Sequence, residues 1–208
     1  MTFKDIQDAV LADAFSEAKR ASAKLWIQMR HAFIWDLEDW TFRQASATVT
    51  VTAGSQTVSG LPADFQVANA LYNTRGNQLT AYRSPRAFQD AYNANLQTST
   101  SGLPEAFTVR GSTMLVGPKS SETSSAYILE YERSKPVLSA DGDSTGLPDG
   151  YDLALVHGAK AEGFKLIPVP NFTADFEGDF QAAIQSLRNN YLTAVRSGRE
   201  QSPAYRPC

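Results

Sequence analysis

Gly60-Leu61-Pro62, Gly102-Leu103-Pro104 and Gly146-Leu147-Pro148 are three copies of one tripeptide, and they cut this chain into its parts. Each follows a hydroxyl residue (Ser59, Ser101, Thr145), has an acid close behind it (Asp64, Glu105, Asp149) and leads to an aromatic (Phe65, Phe107, Tyr151). Proline fixes its own φ and drives the preceding leucine out of the helical region, so every copy marks a firm change of chain direction. The cuts leave a helical N-terminal stretch, a β-rich middle and a helical C-terminal third, which makes an α+β chain. The first two copies lead into strands and the third into a helix. They are recurring joints, not the units of a repeat array.

From about Asp5 to Leu37 apolar residues recur at helical spacing: Ile6, Val10, Ala14, Ala18, Ala21, Leu25, Met29 and Phe33, with Leu11, Phe15, Ser22 and Trp26 widening the stripe. The pattern predicts one long amphipathic helix, and neither Pro nor Gly interrupts it before Gly54. Trp26, Phe33, Trp35, Trp40 and Phe42 close the segment. Rings of that size pin a helix to its core; a ligand cage is the other reading.

Alternation follows. Thr48-Val49-Thr50-Val51-Thr52 reads as a strand, and Gly54-Ser55 turns it toward Thr57-Val58. Phe65, Val67, Asn69 and Leu71 keep period two before the turn at Asn73 to Asn77, which leads to Leu79-Thr80-Ala81-Tyr82. Ser84-Pro85 predicts a capped short helix with Phe88, Ala91, Tyr92 and Leu96 on one side. Phe107-Thr108-Val109 and Met114-Leu115-Val116 form a second strand pair, and Tyr127, Leu129 and Tyr131 are the buried face of a further strand.

The last third is helical from Pro148 to about Leu166, where Ala154, Gly158 and Ala161 leave room for a neighbouring backbone. Pro168-Val169-Pro170 breaks the chain. Phe172, Phe176, Phe180, Ile184, Leu187, Tyr191 and Val195 then form the clearest helical stripe. Its acids come early (Asp175, Glu177, Asp179) and its cations late (Arg188, Arg196, Arg199), as the helix dipole favours, with Gly198 as its stop. The resulting parts are 1–44, 45–140, 141–198 and an extended tail, 199–208.

Composition narrows the functional classes. The chain has 208 residues, 42% hydrophobic, enough for a packed core. A net charge of −3 gives no footprint for gripping nucleic acid. The single cysteine, Cys208, excludes an intrachain disulfide, and Met1-Thr2-Phe3-Lys4-Asp5 lacks a signal-peptide layout. No apolar run approaches the roughly 20 residues that span a bilayer. Those features predict a protein made and kept in the cytosol, or in something assembled there.

Chemistry-bearing motifs are sparse. Asp141-Gly142-Asp143-Ser144-Thr145-Gly146, continuing to Asp149 and Asp152, approximates a calcium loop, but Asp152 replaces the long bidentate Glu and Pro148 interrupts it. It reads as a calcium site or as a solvated loop capping the next helix. His31 and His157 are isolated, and no nucleophile motif or phosphate loop is present. No catalytic residue, metal or cofactor is expected, and the chain is not expected to be an enzyme.

One layout spans nearly the whole chain. A Trp-rich helix end (Trp35-Asp36-Leu37-Glu38-Asp39-Trp40) precedes a Thr/Val strand, then Leu61-Pro62-Ala63-Asp64-Phe65 and the helix at Ser84-Pro85. Phe107, Gly111, Leu115-Val116-Gly117-Pro118, the Tyr127-x-Leu129-x-Tyr131 strand and two helices complete it. In that order and spacing the chain resembles the adaptor, or head-completion, proteins of tailed bacteriophages.

The resemblance implies a helical bundle with a β-rich insertion, assembled as a ring of usually twelve copies between the portal and a downstream tail or nozzle protein. Such a ring extends the DNA channel and helps retain and eject the genome, with DNA passing through it unbound. It also implies residence in the virion at the head–tail junction, after assembly in the host cytoplasm, with no membrane contact. The portal-binding role falls on the tail, at Arg199, Pro203, Tyr205, Arg206 and Pro207; a merely disordered chain end is the other reading. A tail terminator, or a free-standing small-ligand or calcium-binding module, are the rival functions.

Overall fold

The computed structural model describes residues 1–12, 15–92, 101–122, 124–166 and 172–192. It is mixed α+β, with five α-helices and two small sheets among those residues. Contacts gather into two compact units, one made of Met1–Arg43 with Lys135–Cys208 and the other of Gln44–Ser134.

In the first unit the expected long helix is two helices, α1 (Phe3–Leu11) and α2 (Arg20–Leu37). Thr2 and Asp5 form a capping box that starts α1, and Ala12 ends it with an extended ψ of 133°. A 3-10 turn at Glu17–Lys19 leads into α2. The break resets the helical phase, which has a consequence for packing. Ile6 and Val10 of α1 are buried, but α2 buries Ala23, Trp26, Ile27, Ile34 and Trp35. The row expected to face the core, Leu25, Met29 and Phe33, is exposed instead.

The helix α4 (Asp152–Leu166) contacts α1, α2 and α5 (Phe172–Tyr191), and it is buried on most of its circumference. Close approach depends on its glycines. A Cβ on Gly163 would lie 2.5 Å from the Phe15 ring and 2.7 Å from Trp26, and one on Gly158 would lie 2.8 Å from Phe180. On α5 the predicted stripe holds at its centre, where Phe180, Ile184 and Leu187 are buried; Phe172 is exposed. The aromatic cluster is core packing: Trp40 stacks on Phe42, which meets Trp35 and Tyr191 edge-on.

The second unit carries a four-stranded sheet ordered β2 (Val58–Ser59), β1 (Gln44–Thr52), β7 (Ser124–Arg133), β3 (Phe65–Tyr72), all antiparallel neighbours. Tyr127, Leu129 and Tyr131 of β7 point into the core while Ile128 and Glu130 face out, as the alternation predicts. The stretch after Asn77 does not stay in that sheet: β4 (Thr80–Tyr82) runs parallel to β5 (Ala106–Arg110), which pairs with β6 (Thr113–Gly117). The helix α3 (Pro85–Tyr92) starts at Ser84, whose Oγ accepts from the Ala87 amide; Phe88 is buried, but Ala91 is exposed.

The motif Leu61-Pro62-Ala63-Asp64-Phe65 clamps the end of β7. Tyr131 donates its hydroxyl to Asp64 Oδ1 at 2.9 Å, the Ser134 amide donates to the Asp64 carbonyl at 2.6 Å, and the Phe65 ring lies 6.0 Å from Tyr131. Ala14, Leu96, Pro168-Val169-Pro170, Val195, Arg196 and Gly198, all singled out in the sequence, lie outside the described residues.

Two expectations about stability arise here. Gly163→Ala is expected to cost roughly 1–3 kcal/mol, because two aromatic rings must move; thermal unfolding indistinguishable from the parent would contradict the packing. Gln7 is fully buried with neither amide atom hydrogen-bonded, so Gln7→Met is expected to stabilise by about 1 kcal/mol in denaturant titrations.

Candidate functional site

Arg199, Pro203, Tyr205, Arg206 and Pro207 lie outside the described residues, as does Cys208. The other candidates can be placed. His31 is buried in α2, with Nε2 2.8 Å from the Thr145 carbonyl. A carbonyl only accepts, so Nε2 carries the proton and the ring is a structural donor. Burial pushes its pKa down, against the opposing pull of that hydrogen bond. His157 stands apart on α4, its Nδ1 3.2 Å from Asp179 Oδ2 on α5.

The acidic loop spends its oxygens on its own chain. Asp143 Oδ2 accepts from the Ser139 and Ala140 amides at 2.6 and 2.7 Å, which holds that carboxyl below its usual range. Asp152 Oδ1 accepts from the Thr145 hydroxyl at 2.6 Å, and the Asp141 and Asp143 carbonyls accept the Lys4 and Phe3 amides. The loop thus receives the start of α1. Among the described residues no three His, Cys, Asp or Glu side chains converge as metal ligands would.

A residue that the sequence reading passed over holds the helical unit together. Arg30 on α2 is buried, with Nη2 2.6 Å from Glu162 of α4 and 2.5 Å from Glu177 of α5. Its guanidinium carbon lies 4.5 Å from the Phe180 ring centroid, a cation–π contact. Gly158 leaves room for its stem, since a Cβ there would sit 3.0 Å from Arg30 Cγ. Lys165 and Gln181 give the two carboxylates second donors. Burial pushes the Glu177 pKa up, but the hydrogen bonds from Arg30 and Gln181 outweigh it and leave the carboxyl below its ordinary value. The periodicity of α2 put Arg30 beside the core face, the one available signal.

Two surface features remain. On α2, Leu25 and Met29 are each 60% exposed and Phe33 is 44% exposed, one helical turn apart. Between α4 and α5 runs an open groove of about 560 Å³, floored by Gly150, Ala154, Ala182 and Ala183 and flanked by Leu153 and His157. The groove is also lined by Tyr151, Asp179 and Ser186, and the Tyr151 and Ser186 hydroxyls lie 2.9 Å apart. Both are surfaces suited to contact.

Residues 1–207 match the family model described as SU10 adaptor protein. A comparison with curated proteins finds no match.

His31 and Glu177 set the acid response. His31 has a folded pKa below its unfolded value of 6.5, so the unfolded chain takes up the proton first and stability falls as pH drops below 6.5. Glu177 has a depressed folded pKa, so its contribution is full above the unfolded value of 4.5 and is lost as pH falls through the folded one. Unfolding titrations are expected to show both losses, and His31→Gln should remove only the upper one. Arg30→Ala, which removes the donor shared by two part-buried carboxylates and the cation over Phe180, is expected to cost roughly 2 kcal/mol at neutral pH; a change under about 0.5 kcal/mol would match a mere surface pair.

Proposed function

The chain belongs to the SU10 adaptor protein family, a phage head–tail adaptor family, and on that premise we propose that it forms the ring joining the portal to the tail. Adaptor membership makes it a structural protein of the virion. The finer reading is a ring of twelve copies, standing at the head–tail junction and assembled from subunits made in the host cytoplasm. In this arrangement a helical bundle carries the β-rich part as an insertion. The ring extends the DNA channel, helps retain and eject the genome, and presents a face to the next tail or nozzle protein.

The observation that carries this reading is the length of the family match, which runs through both units. Other features support it. Polar groups that looked chemical in the sequence are used to build the chain: Asp143 caps a turn and His31 holds Thr145, while Arg30 ties three helices. A net charge of −3 suits a channel through which DNA slides, because tight nonspecific binding comes from Lys and Arg contacts to phosphate. The turn at Asn73 to Asn77 is held by the Asn73 side chain, which accepts from the Arg75 and Asn77 amides, and it offers a firm point for a neighbour.

We assign portal contact to Arg199, Pro203, Tyr205, Arg206 and Pro207, where two cations, one aromatic and two prolines supply charge and stiffness in a short segment. Co-expression with the portal protein of the same phage tests both levels. The full chain is expected to co-purify with the portal, and a chain lacking residues 199–208 is expected to lose that association while keeping its thermal unfolding. Binding that survives the deletion removes the tail assignment; a full chain that never binds removes the adaptor ring.

A further inference from the structure

The groove between α4 and α5 is lined by acids and by no lysine or arginine. Asp149 and Asp179 are its carboxylates. The Met1 amine is taken by Asp152 at 2.7 Å, and Asp149 is exposed, without a salt bridge among the described residues. Asp179 is largely exposed too and faces the His157 ring at 3.2 Å. Beneath them Gly150, Ala154, Ala182 and Ala183 form a floor of small residues, over which an extended backbone can lie close. The groove's volume of about 560 Å³ falls within the roughly 300–1,000 Å³ of clefts that hold a ligand.

The chain supplies one segment of the opposite charge. Outside the described residues, Lys and Arg occur only in 193–208, as Arg196, Arg199 and Arg206, against the single acid Glu200. That segment departs beside the groove. The helix α5 ends at Tyr191, and the Leu192 backbone bridges to Trp40. The Tyr191 ring meets the Tyr151 ring edge-on at 5.8 Å, and Tyr151 lines the groove and bonds Ser186. From Ser186 the groove runs back along α5 to Asp179, two helical turns or about 10 Å. Three residues of extended chain span about 10 Å as well, the step from Arg196 to Arg199. Asp149 lies at the Tyr151 end, where the segment arrives first.

We propose that residues 193–200 fold back into the α4–α5 groove of their own chain, setting Arg196 against Asp149 and Arg199 against Asp179. The tail of a second copy carries the same charges, but a short tether holds a chain's own tail at roughly millimolar effective concentration. Exposed ion pairs are individually weak and screened by salt, so the docking is reversible. This contact goes beyond the adaptor-ring reading and does not need it. On that reading Arg199 is shared: it serves the groove in the free chain and the portal once the two meet, so groove and portal compete for one segment.

The test uses the full chain with Cys208→Ser, so that introduced cysteines are the sole thiols. A chain carrying both Ala182→Cys, on the groove floor, and Ser197→Cys, between the two arginines, is treated with a short bismaleimide in dilute solution. The expected product is a monomer whose peptide map shows one linker joining positions 182 and 197. Its rate of formation is expected to fall roughly fivefold in about 0.5 M salt, and likewise when Asp149→Asn and Asp179→Asn are combined in the same chain. Both carboxylates are exposed, so that combination is expected to keep its thermal unfolding. Linkage chiefly between chains overturns the proposal in favour of a neighbour's groove. Absence of any link overturns it outright, and a rate that neither salt nor the Asn pair slows overturns the ion pairing that defines it. No portal enters the experiment, so a failure here leaves the ring standing, and a chain that never binds portal leaves this contact standing.

Discussion

One guanidinium group sets the terms for the helical unit. Arg30 leaves α2 between hydrophobic neighbours, passes the bare backbone of Gly158 on α4 and ends between Glu162 and Glu177, with Phe180 under its plane. Taking that charge out of water is tolerable only because two carboxylates and an aromatic face receive it. Three helices must therefore be in place at once. A hydrophobic contact tolerates sliding, but a forked, planar donor between two fixed acids does not. The group specifies the register of α2 against α4 and α5 as much as it stabilises them.

The same economy governs the loop 139–152. Its acids and hydroxyls bind amides, a neighbouring hydroxyl and the first turn of α1, and its carbonyls receive that helix's free N–H groups. A stretch that looks like a cation loop in one dimension is a helix socket in three. The Leu-Pro-Ala-Asp-Phe motif behaves alike in the β unit, where Asp64 binds the end of β7 through Tyr131 and Ser134.

The α+β class, the alternation of β7, the cap at Ser84 and the central stripe of α5 were legible because each depends on local spacing. The break after α1 was not. Ala12 is neither Gly nor Pro, and nothing nearby in sequence announces that the chain turns there. An uninterrupted helix would carry the phase of α1 into α2 and put Leu25, Met29 and Phe33 inside; the break turns that row outward. Their apolar character is real, but of the three only Phe33 meets a ring of its own chain, Phe180 at 5.9 Å, and it stays partly exposed. The parallel course of β4 and the role of Arg30 escaped for a related reason, since each depends on residues far away in sequence. The adaptor family was legible through the order of many weak motifs, and the portal contact proposed for residues 199–208 rests on that likeness.

The division of the chain has a consequence for synthesis. Gln44–Ser134 is continuous, so its sheets can close as soon as β7 leaves the ribosome, although β1 must wait for β7 across nearly the whole unit. The helical unit is discontinuous: α1 and α2 emerge first and lack α4 until more than a hundred residues later. Through that interval Trp26, Ile27 and Ile34 have no lasting cover, and Arg30 has no acids to meet. Newly made chains are thus most open to mispairing early, and the last helices to appear are the ones that end that exposure.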